Sequence, residues 1–292
     1  MTDVPVLEVG GTHVSAALVR SADWSVVFAA RQQLDSHGTA EQILDSFVAA
    51  GAMVPVSAPA AWGIAMPDPF DYARGVATFR DVGKFDALYG VDIGAALRAS
   101  LPGPPTAIAF VNDADAFILG EWTRGAASGF ARCVGITLGT GLGSGWLVDG
   151  TITATEPGVP DLGRARHLVV DGAALEETMS RRALRRAYAA STGGTEADVL
   201  EITERARDGE GAAISVLRYG FAGLGQAMGP AMQAFRADVI VIGGSMSASW
   251  ELYEPWFREG MDWPDHPPIL VARDPEHAAM IGAARHTLSP PR

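Results

Sequence analysis

Three glycine clusters, each directly after an apolar run, are the residues best suited to bind an anion. They are Gly10-Gly11-Thr12, Gly139-Thr140-Gly141-Leu142-Gly143-Ser144 and Gly243-Gly244-Ser245. Glycine permits positive φ and leaves the backbone bare, so several N–H groups can point at one anion. Threonine and serine hydroxyls add further donors. Each cluster alone could be a tight turn, but the three together predict a site for the phosphates of a nucleotide.

One carboxylate stands where a catalytic base would be useful. Asn112-Asp113 follows a predicted strand and opens a predicted helix. Asp113 could accept a proton from a hydroxyl nucleophile, as a general base does, or it could simply cap the helix. Asp115 and Glu121 lie further along this helix, and we expect them on its solvated face.

Other common catalytic motifs are missing from the sequence. There is no P-loop pattern and no dinucleotide fingerprint, because Ser144 and Trp146 occupy the positions that need its third glycine. No nucleophile elbow or H-E-x-x-H motif occurs. The histidines are scattered without metal-ligand spacing.

Composition restricts the class of protein further. The chain has 292 residues, enough for two domains, and a net charge of −12 that argues against nucleic acid as a partner. A lone Cys133 excludes an internal disulfide and a cysteine zinc site, and fits a reducing cytoplasm. No apolar run is long enough to span a bilayer, and the first ten residues lack a basic signal-peptide start. We therefore expect a cytoplasmic protein without a membrane partner.

Lys84 is the only lysine among the 22 basic residues. Codon bias explains why lysines are rare but not why one remains. The ammonium of lysine is a compact point charge, which the planar guanidinium of arginine cannot replace at every site. Lys84 is therefore a candidate site residue.

The elements that must position these residues alternate between strands and helices, which predicts an α/β fold. A strand, a Gly/Thr turn and a second strand occur near the start and again near the middle, which indicates an internal duplication. Predicted strands are Val4–Val9, Val14–Val19, Val26–Ala30, Ala61–Ala65, Ala107–Val111, Cys133–Leu138, Gly145–Val148 and Val239–Ile242. Predicted helices are Ala40–Ala50, Ile93–Leu101, Ala114–Trp122, Leu175–Ala190, Asp198–Arg207, Ala213–Ala234 and Glu276–His286.

In this order the motifs resemble the ROK family of sugar kinases, a branch of the actin–hexokinase ATPase fold. Leu7–His13 resembles the family's first phosphate loop, and Val111–Ala116 its E-N-D-A-N-A catalytic segment. Leu138–Asp149, followed by a glycine, resembles its second phosphate loop. Asp238–Ser245 resembles the adenosine-side strand and turn, and Glu276–His286 the closing helix.

The resemblance implies a two-lobe, actin-like ATPase with a duplicated ribonuclease-H-like fold. Residues 1–112 with 278–292 would form one lobe and residues 113–277 the other, with the active site in the cleft between them. The implied activity is transfer of the γ-phosphate of ATP, with Mg²⁺, to a hexose or amino-hexose hydroxyl, usually at C6. Relatives are commonly homodimers.

The resemblance also assigns roles to residues. Asp113 would be the catalytic base, with Asn112 beside it on the sugar. Glu8 stands where the family usually has Asp, and its extra methylene implies that Mg²⁺ would be held through a water molecule or by a shifted loop. The residues implied at the nucleotide are Gly10, Gly11, Thr12, His13, Gly139, Thr140, Gly141, Gly143, Gly243, Gly244 and Ser245.

The family's G-E-x-G-H sugar motif is altered here to the segment Pro160–His167. Asp161 takes the place of the Glu. Counting from the glycine puts Arg164 in the place of the His, whereas counting from the following Leu-Val-Val puts His167 there. We favour His167 as the sugar ligand.

The family's cysteine-rich zinc segment is missing from the sequence. Val170–Ala174 joins directly to Leu175–Ser180, which resembles the L-E-x-x-x-S that normally follows the zinc. The resemblance therefore implies no structural zinc, and Glu176 as an acceptor for a sugar hydroxyl. Alternatively, Glu176 is a first-turn carboxylate favoured by the helix dipole.

The predicted sugar pocket is acidic, which suits a substrate that carries an amine. Lys84 lies near the place of a family Asn that touches the sugar, and Asp86 beside it could meet a cation on the substrate.

Two other functions remain open from the sequence. A sugar-sensing regulator would need a DNA-binding segment ahead of the first strand, which here begins at about Val4. A non-catalytic sugar- or nucleotide-binding protein is consistent with Glu8 and the altered sugar motif. Four aromatic residues could form a dimer surface or pack internally: Trp250, Tyr253, Trp256 and Phe257.

Overall fold

The computed structural model describes residues 3–194 and 196–288 and divides the chain into two units. The first unit runs to Ser128 and resumes at Asp274, and the second is Gly129–Arg273. The division differs from the predicted boundary after Asn112. The helix that follows Asn112 packs against the last helix of the chain, and both therefore belong to the first unit.

The elements alternate much as the sequence predicts. Up to Ser128 they are β1 (Asp3–Val9), β2 (His13–Arg20), β3 (Val26–Gln33), α1 (Ala40–Met53), β4 (Ala61–Met66), β5 (Phe70–Asp71), β6 (Val76–Ala77), α2 (Ile93–Ser100), β7 (Ala107–Asn112) and α3 (Asp113–Arg124). After it follow β8 (Arg132–Leu138), β9 (Leu142–Val148), β10 (Thr151–Ile152), β11 (Val169–Val170), β12 (Ala173–Ala174), α4 (Leu175–Met179), α5 (Arg181–Ser191), α6 (Val199–Arg207), α7 (Gly211–Phe235), β13 (Val239–Gly243), α8 (Trp250–Met261), β14 (Ile269–Val271) and α9 (Ala278–Leu288).

The sheet of the first unit has the order β3-β2-β1-β4-β7. The first three strands are antiparallel neighbours, and β1, β4 and β7 run parallel. Helices cover both faces of this sheet. On one face Ile64 belongs to the core that contains α1. On the other face the adjacent Gly63 meets α9, because a Cβ there would lie 2.6 Å from the Ala283 carbonyl. Adjacent residues of a strand point to opposite faces.

The sheet of the second unit, β10-β9-β8-β13-β14, repeats this arrangement. Again the first three strands are antiparallel neighbours, and β8, β13 and β14 run parallel. The predicted α/β class and internal duplication are therefore confirmed.

One helical prediction needs correction, and one helix was missed. The single helix predicted over Leu175–Ala190 is broken at Ser180, whose hydroxyl accepts a hydrogen bond from the Ala183 N–H and caps α5. Such caps satisfy the orphan N–H groups of a new helix, so a serine at this place starts one. Helix α8, Trp250–Met261, was not predicted.

The four aromatic residues considered for a dimer surface pack internally. Trp250, Tyr253 and Phe257 are buried in the core of the second unit, and Trp256 is partly buried against it. Tyr253 stacks on Phe221 of α7 with a centroid distance of 4.0 Å. Helical spacing places them on the face of α8 that meets α7.

Helices α3 and α9 approach each other closely through glycines. A Cβ on Gly120 would lie 1.8 Å from the Ala278 carbonyl, and one on Gly282 would lie 1.7 Å from the Ala116 carbonyl. Only glycine allows this approach. It fixes the helix that Asp113 begins.

This packing also overturns the expectation for the other two acidic residues of α3. Asp115 and Glu121 are buried rather than solvated. Glu121 Oε2 accepts a 2.6 Å hydrogen bond from the Ala126 N–H and so closes the turn after the helix. Within the described residues, no helix has the length and apolar character needed to cross a membrane.

Candidate active site

Three carboxylates lie at the carboxyl ends of the three parallel strands of the first unit. Glu8 lies near the end of β1 and pairs in register with Ala65 of β4. Asp68 follows β4 by two residues, and Asp113 follows β7 directly. In open α/β sheets this edge is where ligands bind. The sequence analysis singled out Glu8 and Asp113 but not Asp68, which lies in a turn-rich Pro-Asp-Pro stretch.

Asp113 is presented by the first turn of α3. The N-cap is Asn112, whose Oδ1 accepts hydrogen bonds from the N–H groups of Ala114 at 3.0 Å and Asp115 at 3.3 Å. Asp113 is the first helical residue, and its side chain is only partly buried. The cap is thus Asn112, and the Asp113 carboxylate reaches the surface of the unit.

The amide of Asn112 is held on its other side by a buried network. Its Nδ2 donates to Asp68 Oδ2 at 3.2 Å and to the Tyr72 hydroxyl at 3.1 Å. The Tyr72 hydroxyl lies 2.8 Å from Asp68 Oδ1 and 3.1 Å from the Met66 carbonyl. Both N–H groups of the predicted sugar ligand Asn112 therefore point at protein acceptors.

Glu8 is electrostatically linked to Asp113. Burial, followed by the Asp113 carboxylate, raises the pKa of Glu8 to about 7. The charges of Arg31 and His277 and a hydrogen bond from Ser15 oppose this increase. A cation at this place would offset the charge of both carboxylates.

The first glycine turn joins β1 to β2. The Gly10 N–H donates to the His13 carbonyl at 2.9 Å, and Thr12 Oγ1 lies 3.2 Å from His13 Nδ1. Burial, followed by the charge of Arg31, lowers the pKa of His13. A neutral imidazole beside a hydroxyl offers donors and acceptors rather than a fixed positive charge.

The other two glycine turns are neighbours in the second unit. Gly243 of β13 pairs in register with Thr137 of β8, so both turns leave the same edge of the sheet. A Cβ on Gly139 would lie 3.9 Å from Ser245 Oγ. Gly244 has φ +80°, and a Cβ there would lie 2.4 Å from the Leu138 carbonyl. Thr140 and Gly141 complete the first of these turns, whereas Gly143 already lies within β9.

Glu176 touches the first of these two turns. Its Oε2 accepts a 3.0 Å hydrogen bond from the Leu142 N–H. A Cβ on Gly141 would lie 2.9 Å from Glu176 Oε1. A residue predicted at the sugar is thereby placed against a predicted phosphate loop.

Two side chains of β9 anchor the altered sugar motif. Ser144 Oγ donates to the Gly163 carbonyl at 2.6 Å and accepts from the Ala165 N–H at 2.8 Å. Trp146 Nε1 donates to the same Gly163 carbonyl at 3.2 Å. This anchored segment carries the other predicted sugar ligands.

The side chains of that segment differ in exposure. Asp161 and His167 are exposed, whereas Arg164 is partly buried. The His167 ring accepts a 3.2 Å hydrogen bond from Arg166 Nε. Exposure leaves Asp161 and His167 accessible to a sugar.

A short hairpin stands at the place of the family's zinc segment. Strands β11 and β12 are joined by Asp171 and Gly172, both with positive φ (51° and 79°). Asp-Gly is a preferred pair for such two-residue turns. Across residues 3–194 and 196–288, no group of three or more His, Cys, Asp or Glu side chains is arranged to hold a metal ion.

Lys84 lies in a loop of the first unit and is partly buried. Its Nζ is 6.0 Å from the ring centroid of Phe85. The nearby Asp86 accepts a 3.2 Å hydrogen bond from the Val82 N–H, so its carboxylate stabilises the loop.

Comparison with known proteins agrees with this fold. The ROK family model matches residues 5–288. A glucokinase of Thermotoga maritima is 27% identical over 284 residues, which cover 87% of this chain and 85% of that protein. The ROK hexokinase of Thermus thermophilus aligns with a TM-score of 0.78 at 24% identity, over 97% of each chain. A ROK glucokinase of Streptomyces griseus, solved with glucose and AMPPNP, aligns with a TM-score of 0.77 at 23% identity, over 97% of this chain and 98% of that one.

The family match extends over nearly the whole described chain. The chain therefore belongs to the ROK family, and its fold is that of the ROK hexokinases.

Proposed function

We propose that the chain is an ATP-dependent sugar kinase that phosphorylates a hexose or amino-hexose, at the 6-hydroxyl. The observation that carries the proposal is the placement of Asp113, partly exposed in the first turn of α3 at the carboxyl ends of the three parallel strands of a mixed sheet. Membership of the ROK family and the similarity to a protein named glucokinase support it.

In the proposed reaction Asp113 accepts the proton of the sugar hydroxyl. The hydroxyl oxygen then forms a bond to the γ-phosphorus, the bond to the β-phosphate oxygen breaks, and ADP leaves. Catalysis of phosphoryl transfer is mostly positioning and electrostatic stabilisation. Asp113 contributes to positioning because the Asn112 cap fixes the first turn of α3 that carries it, and the helix dipole favours its negative charge.

The glycine turns are the proposed phosphate ligands. In this proposal the two turns of the second unit bind phosphate through remaining backbone N–H groups and the hydroxyls of Thr140 and Ser245, and Gly10–His13 does so in the first unit. Such concave groups of donors bind anions.

The proposed sugar ligands come from both units. Asp161, His167 and Glu176 belong to the second unit and Lys84 to the first. Their carboxylates suit an amine on the sugar as well as its hydroxyls. The side-chain N–H groups of Asn112 donate to Asp68 and Tyr72. We therefore infer that Asn112 positions the start of α3, in addition to its predicted contact with the sugar.

The donor set of the first unit fits Mg²⁺. The carboxylates of Glu8 and Asp113 offer hard oxygen donors. The pKa of Glu8 is raised mainly by burial and then by the Asp113 carboxylate, so a cation here would favour the ionised form of Glu8. Glu8 would hold the ion, through water. When bound, Mg²⁺ neutralises charge on the phosphoryl oxygens.

The test is ADP release with Mg-ATP across glucose, mannose, fructose, glucosamine, N-acetylmannosamine and kanosamine. We expect turnover on at least one sugar, and a loss of about 10²–10⁴-fold in Asp113→Asn because the base is removed. Asp45→Asn, the same substitution on the exposed side of α1, is the matched control and should retain full activity. Sugar or ATP binding without turnover would instead favour the non-catalytic alternative. A homodimer and a cytoplasmic location stay predictions from the resemblance and the composition.

A further inference from the structure

The hydroxyl of Tyr72 is a buried group that the proposed reaction does not use. Tyr72 follows β5 and packs its ring against Phe70 with a centroid distance of 5.3 Å. Its hydroxyl has two candidate acceptors, Asp68 Oδ1 at 2.8 Å and the Met66 carbonyl at 3.1 Å. One hydroxyl has one proton, and the shorter, charged acceptor binds it more strongly. Tyr72 therefore donates to Asp68 and accepts from Asn112.

This arrangement permits only one orientation of the Asn112 amide. Asn112 Oδ1 faces two backbone N–H groups of α3, while Nδ2 faces Asp68 Oδ2 and the Tyr72 oxygen. A flipped amide would place N–H groups against N–H groups and its oxygen against a carboxylate. The two N–H groups of the amide would then lose their acceptors, and its oxygen would gain a donor only if the Tyr72 hydroxyl turned away from Asp68, which is costly at a buried site.

The network is more elaborate than a helix cap requires. An asparagine alone satisfies the first N–H groups of a helix. Here a second carboxylate, Asp68, is placed near Asp113, and like charges near each other are unfavourable. Burial and the charges of Asp68 and Asp113 raise the pKa of Tyr72, which keeps its hydroxyl protonated and able to donate. Unfavourable charge retained at one place is typical of functional sites.

We propose that Tyr72 and Asp68 are positioning residues, which hold Asn112, and through it the first turn of α3, so that Asp113 faces the sugar hydroxyl. The chain of contacts runs from the end of β4 through Asp68 and Tyr72 to Asn112 at the end of β7. These two strand ends are in register, because Met66 pairs with Asn112. This inference rests on the proposed role of Asp113 as the base.

The test is the steady-state kinetics of Tyr72→Phe, which removes the hydroxyl and keeps the ring. A displacement of the base by about 1 Å is expected to lower kcat on the order of 10- to 100-fold. The KM for Mg-ATP should stay within about twofold, because its proposed ligands are glycine turns that Tyr72 does not touch. Rates are normalised to the folded fraction by circular dichroism.

Two further variants separate positioning from general loss of structure. Tyr219→Phe removes a hydroxyl that also donates to an aspartate, Asp171 at 3.0 Å, but on an exposed surface of the second unit, and should leave kcat unchanged. Asp68→Asn should lower kcat as Tyr72→Phe does. The double variant Tyr72→Phe/Asp68→Asn should lose little more than the worse single variant, because residues that act as one unit are not additive.

The outcomes distinguish this inference from the proposed function. If the wild type phosphorylates a sugar and Asp113→Asn does not, but Tyr72→Phe retains the wild-type kcat, only the positioning role is overturned. Fully multiplicative losses in the double variant would also overturn it. A wild type without turnover on any sugar would overturn the proposed function and this inference with it.

Discussion

At the scale of single residues, Glu8 is the clearest case of a side chain under electrostatic strain. Glu8 is partly buried near the end of β1. Burial and the Asp113 carboxylate raise the pKa of its side chain to about 7. Ser15 and Arg31 follow Glu8 in register across β2 and β3 and partly offset this effect.

This raised pKa predicts how Glu8 affects stability as pH changes. Below about pH 4.5 the side chain is protonated in both folded and unfolded chains, and the folded protein pays no charge penalty. Between that pH and about 7 the unfolded chain releases the proton first, so folding becomes less favourable. Glu8→Gln should therefore stabilise the protein by about 1–3 kcal/mol at pH 8 and hardly at all at pH 4.

The measurement is the midpoint of thermal unfolding of both proteins at pH 4 and pH 8, without Mg²⁺. At pH 8 the variant should unfold a few degrees higher. Glu196→Gln, an exposed position in the second unit, serves as control and should show no such difference. A Glu8→Gln effect of equal size at both pH values would contradict the assigned cause.

At the scale of elements, the strands and most helices could be predicted because their hydrophobic periods and flanking glycines are local signals. What could not be predicted depends on contacts between distant residues. The burial of Asp115 and Glu121 follows from the close approach of α9 to α3. The candidate site is likewise only partly predictable from local sequence. Asp113 can be recognised from its place after a predicted strand, whereas the contact of Asp68 and Tyr72 with Asn112 depends on the pairing of β4 with β7.

The paired glycine turns allow a test of one element contact. Gly244→Ala should weaken ADP binding about tenfold or more, because the added Cβ would lie 2.4 Å from the Leu138 carbonyl and push the two turns apart. Gly209→Ala is the matched control. Gly209 also has positive φ (+86°), but a Cβ there would meet nothing within 4 Å.

Isothermal titration with ADP measures the difference between these variants. Both variants carry the cost of positive φ, on the order of 1–2 kcal/mol in stability. Only Gly244→Ala should change the ADP dissociation constant. Equal affinities in the two variants would show that the turn after β13 does not bind the nucleotide.

At the scale of the whole molecule, the two units have sheets of the same strand order but carry different residues at the carboxyl ends of the parallel strands. In the first unit the ends of β1, β4 and β7 carry Glu8, Asp68 and Asp113. In the second unit the ends of β8 and β13 carry glycine turns. In the proposed function, one copy would supply carboxylates and the other would supply backbone donors for phosphate. The duplication was visible in the sequence as a repeated strand–turn–strand pattern, but this division of roles depends on which strands become neighbours.

In the proposed function the molecule transfers phosphate to a sugar rather than to water. The most direct measurement is ³¹P NMR of a reaction that contains the protein, Mg-ATP and the best sugar of the panel. We predict equal amounts of ADP and of a single sugar phosphate ester, whose phosphorus is coupled to the protons at C6, and formation of both products about 10²–10⁴-fold slower with Asp113→Asn. Release of ADP with inorganic phosphate alone, or an ester that forms equally well with Asp113→Asn, would contradict the account.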